Sequence, residues 1–116
     1  MRRLAVIALT LFVLSGCMTR EKMEEQLRLR LLALRAGMDS YTYDKGYGPE
    51  SLDELVRTGY LKEIPEDPCT GKRDWTVITC EHYRAIPDPK NPQRGLCRVQ
   101  SACKKTTEDG TPYSTW

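Results

Sequence analysis

The chain has 116 residues, 40% hydrophobic and 29% charged, with a formal net charge of +2, which is enough for one small domain and no more. Its 18 basic and 16 acidic residues are interleaved, so no basic stripe points to nucleic acid and the charged arms read as solvated faces.

Arg2 and Arg3 precede an apolar run from Leu4 to Leu14, closed by Ser15, Gly16 and Cys17. A basic start, a short apolar stretch and small residues at its end predict a secretory signal peptide. A spanning helix needs about 20 apolar residues, and this run is roughly half that. Leu14-Ser15-Gly16-Cys17 resembles a bacterial lipobox. The resemblance implies cleavage before Cys17, palmitate-type acylation there and a membrane-tethered lipoprotein. An ordinary signal peptide ending by chance at a cysteine is the competing reading. In both, residues 1–16 leave the fold and residues 17–116 form one extracytoplasmic domain. Met18 stands where enteric lipoproteins kept in the inner membrane carry Asp. By that analogy the anchor is expected in the outer membrane, facing the periplasm.

Residues 20–45 read as one long helix, because Met23, Leu27, Leu31, Leu34, Met38 and Tyr41 recur at steps of three and four. Glu21, Glu25, Arg28, Arg35 and Asp39 take the opposite face, and Glu24–Arg28 is an i,i+4 pair of favourable order. Leu29 and Leu32 widen the apolar stripe toward the breadth that suits a sheet. A helix lying on a membrane is the alternative, but its polar face would be richer in Lys and Arg. Gly46 and Gly48-Pro49 end the helix. Ser51-Leu52-Asp53-Glu54 is a capping box: Ser51 accepts from the Glu54 amide, and the Glu54 carboxylate reaches back to Ser51. It opens a short helix over 51–58 that buries Leu52, Leu55 and Val56 and is capped by Gly59. Tyr60, Leu61 and Ile64 anchor the segment that follows.

Pro65 and Pro68 forbid further helix, and Thr70-Gly71-Lys72 makes a turn. Residues 74–116 are expected to form a small antiparallel sheet with loops. Trp75 to Cys80 is β-branched and aromatic, a strand that can continue through Tyr83 to Ile86. Pro87 to Pro92 form a rigid polar loop, Gly95 to Gln100 a second strand, and the stretch after Gly110 a third or an edge cover. The fold class is therefore α+β.

With Cys17 assigned to lipid, Cys69, Cys80, Cys97 and Cys103 remain. An even count in an oxidising compartment predicts two disulfides with three possible connectivities. Intervals of 10, 16 and 5 intervening residues lack the close pairs of a zinc site, and His82 is the only histidine.

The run from Leu34 to Trp75 resembles the globular part of bacterial pseudopilins, the pilin-like subunits of type II secretion systems. The elements that carry it are Ala36-Gly37-Met38-Asp39-Ser40-Tyr41, Asp44-Lys45-Gly46, Pro49 to Leu55, Gly59-Tyr60-Leu61, and Ile64 to Gly71 with Trp75 behind. Asp109 to Ser114 and the terminal Trp116 look like the end of such proteins. The resemblance implies a long helix packed on a small antiparallel sheet. Two features depart from the family. The apolar half-helix that packs in a filament core is replaced by a signal and a lipid, so incorporation as a standard subunit is not expected. The family's calcium loop corresponds to Arg98–Lys105, which lacks acidic residues, leaving Ser101 and Asp109 as weak candidates. Disulfides through Cys97 and Cys103 are expected to clamp the loop instead. Cys80 and Cys97 fall on strands expected to be neighbours, which favours pairing them and leaving Cys69 for Cys103. The sequential pattern would fold an extended strand back toward the preceding turn, and the crossed pattern is the third.

No catalytic constellation stands out. His82 has only Cys80 as a nearby nucleophile and reads as a surface histidine. Glu66-Asp67 and Glu24-Glu25 read as exposed carboxylates, and no phosphate-binding loop or nucleotide fingerprint is present. The expectation is a lipid-anchored, pilin-like interaction protein with no enzymatic role, small-molecule substrate or cofactor beyond the lipid on Cys17. Its expected partner is a component of a type II secretion or type IV pilus-like machine, in protein transport. The alternative is a free-standing envelope lipoprotein that uses the same domain as a binding module.

Overall fold

The computed structural model describes residues 18–80 and 95–116. The signal segment, Cys17, His82, the extension of the first strand through Tyr83 to Ile86 and the Pro87–Pro92 loop lie outside them. Helix α1 spans Arg20–Lys45, α2 Leu52–Arg57, strand β1 Thr76–Cys80 and β2 Gly95–Gln100, and a 3-10 turn covers Tyr113–Thr115.

Thr19 caps α1 by accepting from the Lys22 amide at 3.3 Å, and Gly46, at φ 80°, ends it in the left-handed region with its amide on the Thr42 carbonyl. Leu27, Leu31, Leu34, Met38 and Tyr41 are buried along one face, and Met23 is half-buried beside them. Gly37 lies in that face because a Cβ there would stand 3.0 Å from the Leu61 side chain and 3.1 Å from the Tyr60 carbonyl. The absent side chain lets the segment after α2 close onto α1.

Ser51 accepts from the Glu54 amide at 3.2 Å, but the Glu54 carboxylate takes the Glu50 amide at 2.9 Å, not that of Ser51. The carboxylate reaches one residue further back than the capping box predicts. Gly59, at φ 87°, turns the chain so that the Tyr60 and Leu61 amides both reach the Leu55 carbonyl. Leu52 and Leu55 are buried, and Tyr60, Leu61 and Ile64 pack at the margin of the core.

β1 and β2 pair antiparallel, from Thr76 opposite Gln100 to Cys80 opposite Gly95, with a register shift between Ile78 and Thr79 that leaves Cys97 as the extra residue on β2. Leu96 and Val99 of β2 enter the core, whereas β1 is exposed along almost its whole length. Gly95 is pressed against Gly48: a Cβ would come within 2.4 Å of its backbone, and the next amide, Leu96, bonds the Pro49 carbonyl at 2.7 Å.

Three expectations are corrected. Leu29 and Leu32 are 59% and 65% exposed and do not widen the buried stripe, because they fall on the side of α1 away from Leu27, Leu31 and Leu34. Among the described residues the sheet has two strands. The segment after Gly110 forms one bridge, Thr106 to Pro112, and then the 3-10 turn, which lies on α1 rather than adding a strand. The Glu24–Arg28 pair also does not form. Glu24 accepts from the Tyr113 hydroxyl at 2.7 Å, and the Arg28 guanidinium lies 4.4 Å from the centre of the Trp116 ring.

Candidate interaction surface

Three arginines of α1 tie the helix to the C-terminal half. Arg28 stacks on Trp116, Arg30 donates to the Glu66 carbonyl at 2.6 Å, and Arg35 donates to the carbonyls of Val99 and Trp116. Arg28 and Arg35 therefore do not belong to a purely solvated face. A side chain on a helix reaches well beyond its own Cα, so wheel position alone did not reveal these ties.

The disulfides join Cys69 to Cys103 and Cys80 to Cys97, with Cα separations of 5.9 and 5.7 Å. Beside the first lies a polar pair with no exposure at all, Asp67 and Ser101. The Ser101 hydroxyl donates to Asp67 Oδ2 and accepts from the Cys103 amide at 3.1 Å, while Asp67 Oδ1 accepts from the Cys69 amide at 2.8 Å. One carboxylate thus organises both ends of the bridge. This corrects the reading of Asp67 as an exposed turn residue. A Pro-flanked turn signals chain reversal, and nothing local says that a later segment will cover it.

The two calcium candidates are both engaged by hydrogen bonds within the chain. Ser101 is buried with its hydroxyl engaged as donor and acceptor. Asp109 lies in the exposed turn at 107–111, where the Thr107 hydroxyl and the Thr111 amide bond its Oδ1 and hold its carboxyl below the usual range. Lys104 and Lys105 stand exposed between them.

At the start of α1 an open groove of about 850 Å³ runs between the helix and the C-terminal turn, past Arg20, Glu24, Arg28, Glu108 and Trp116. Arg20 and Glu108 bridge it at 3.9 Å. Both charge signs meet there, so the groove favours no simple ion. At the far end of α1, Tyr41 contacts Tyr47 and Tyr60 edge to face at centroid distances of 6.2 and 5.3 Å. Burial, with Glu54 nearby, pushes the Tyr41 hydroxyl up to about 12. The Tyr60 hydroxyl is spent on Asp44 at 2.7 Å.

What remains open is apolar. Leu29, Leu32 and Tyr43 are 59%, 65% and 85% exposed, and Ala33 and Ala36 lie exposed among them. They form a second apolar line on α1, turned away from the buried one. Val77 and Ile78 of β1 are 41% and 37% exposed on opposite faces of their strand. Apolar side chains gathered on an outer helix face mark a candidate docking surface. None of the described helices is long and apolar enough to cross a membrane.

Comparison with family models, with curated proteins and with solved structures finds no match for this chain.

Proposed function

We propose that this chain is a lipid-anchored, pseudopilin-like interaction protein of the bacterial cell envelope, working with a type II secretion or type IV pilus-like machine. The observation that carries the reading is the double-faced helix. One face of α1 is closed by the chain's own β2, α2 and C-terminal turn, and the opposite face, with Leu29, Leu32 and Tyr43, is left for another molecule. The long helix on a small antiparallel sheet supports the pilin-like assignment, as do the motifs from Ala36 to Trp75. The charged start of α1, with Arg20, Glu21, Lys22, Glu24 and Glu25 just after the lipobox, supports anchoring by lipid on Cys17 in place of an apolar half-helix. The same start favours a second reading, an envelope lipoprotein independent of any filament, because a helix that begins with charges cannot pack in an apolar filament core. In both the domain binds protein, and its work is docking rather than catalysis.

Intact mass of the protein extracted from its native membrane, before and after reduction, tests the anchor. A species that starts at Cys17, carries acyl mass and gains four protons on reduction is expected. A chain without acyl mass would remove the anchor. Co-purification with a secretin or an inner-membrane platform separates the two readings, the first expecting capture and the second none.

A further inference from the structure

We propose that the outer stripe of α1 seats a second copy of this chain, packed antiparallel, making the protein a symmetric helix-to-helix dimer. The inference deepens the reading of this face as the docking surface and does not depend on the lipid.

Lys22, Glu25, Leu29, Leu32, Ala36, Asp39 and Tyr43 step along α1 at alternating intervals of three and four, and all seven are exposed. That alternation is the seam of a two-helix contact, and it faces away from Leu27, Leu31, Leu34 and Met38, which the chain buries itself. In a parallel pair in register every seam residue meets its own copy. Lys22 would face Lys22, Glu25 would face Glu25 and Asp39 would face Asp39, so each charge would meet its like.

The antiparallel arrangement reverses the outcome. With Leu29 set against Leu32 of the second copy, Lys22 falls opposite Asp39, and Glu25 falls opposite Ala36 with Arg35 one position away. Each pairing occurs twice by symmetry. The small Ala36 leaves room for the Glu25 stem. At the ends, Tyr43 falls just beyond the start of the second copy's helix, where Met18 is 53% exposed. One register therefore gives Leu29 and Leu32 an apolar neighbour, brings Tyr43 toward the exposed approach to the second helix, and gives an opposite charge to Lys22 and Asp39.

The test is the association state of the full chain in detergent micelles, by sedimentation equilibrium, for the wild type, Leu32→Glu, Lys22→Asp, Asp39→Lys and the double charge-reversed variant. The wild type is expected to dimerise. Leu32→Glu should weaken the dimer about 100-fold or more, and each single reversal about 10-fold, because two attractive pairs become repulsive. The double variant should return to within about threefold of wild type, since the pairs are restored with their signs exchanged. Thermal melts of the variants at concentrations where the wild type is dissociated should match the wild type, since all three side chains are exposed.

A wild-type monomer overturns the proposal, as does a dimer indifferent to Leu32→Glu. Single reversals that the double variant fails to rescue overturn the antiparallel register. A photoreactive residue at position 32 that captures lipid or a different protein gives the face to that occupant, which also overturns it. Failure here is distinguishable from failure of the anchor: an acylated monomer refutes the dimer alone, and an unacylated dimer refutes the anchor alone.

Discussion

Residues 20–64 and residues 65–116 are held by different means. The first stretch is two capped helices whose apolar residues recur often enough to close a core: Leu27, Leu34 and Leu55 have no exposure at all. The second contributes Trp75, Leu96, Val99, Cys103 and Tyr113 to that core, and its first strand lies almost entirely in solvent. A two-stranded hairpin is marginal by itself in water. Both disulfides, the buried Asp67–Ser101 pair and the landing points of Arg28, Arg30 and Arg35 all lie in this second stretch. A domain of this size thus concentrates apolar burial where a long helix can supply it and cross-links the part where it cannot.

The comparison can be broken from either side. Leu34→Ala, in the helical half, should cost about 2–5 kcal/mol and lower the melting temperature of the whole domain, since both halves share one core. A loss confined to α1, seen by hydrogen exchange, would separate the halves and refute the shared core. Replacing Cys69 and Cys103 together by Ser should cost about 2–4 kcal/mol, through a loop whose ends lie 34 residues apart in sequence. The C-terminal half should then lose exchange protection before α1 does. Asp67→Ala should cost about 1–3 kcal/mol even with both disulfides closed, because the Cys69 amide and the Ser101 hydroxyl lose a buried acceptor. A melt unchanged from wild type would mean that the bridge alone sets this geometry.

Alkaline pH acts mainly on the aromatic end of the helical half. Tyr41 titrates at about 12 when folded, against an ordinary value of 10.0. Its folded pKa is raised, so its contribution to stability is complete below pH 10 and lost as pH climbs toward 12. The melting temperature should fall over that range, and Tyr41→Phe should flatten part of the fall. The Tyr113 hydroxyl is raised by burial first and then by its bond to Glu24, so some slope should survive in that variant. The smallest effect sharpens the comparison within α1 itself. Leu32→Ala in dilute solution should change unfolding free energy by no more than about 0.5 kcal/mol, although Leu31 beside it is 2% exposed. A larger loss would place Leu32 in the domain's own core.

Much of this architecture was readable in the chain. The three-and-four spacing from Met23 to Tyr41 located α1, and Ser51 with Gly59 bounded α2, because helix periodicity and capping are local and need no distant partner. The run of β-branched residues after Trp75 placed β1 for the same reason. Four cysteines outside the lipobox implied two bridges, and the strand neighbours favoured the pairing that the structure contains.

Tertiary structure decided what depended on who packs against whom. Leu29 and Leu32 carry the same hydrophobicity as Leu31 and Leu34, and which line of leucines is covered follows from the face of α1 that β2 and α2 pack against. Asp67 is a turn residue by every local signal and is buried because Ser101 returns to it across 34 positions. Arg28 and Arg35 look solvated on a helical wheel, yet they are claimed by a C-terminal segment whose path no neighbouring residue specifies. The sequence by itself determined the two helices, the two strands and the number of bridges, since those follow from short-range hydrogen bonding, periodicity and the cysteine count. Which side chains are buried, which are bonded and which stay open on the outer face of α1 followed only when the elements met.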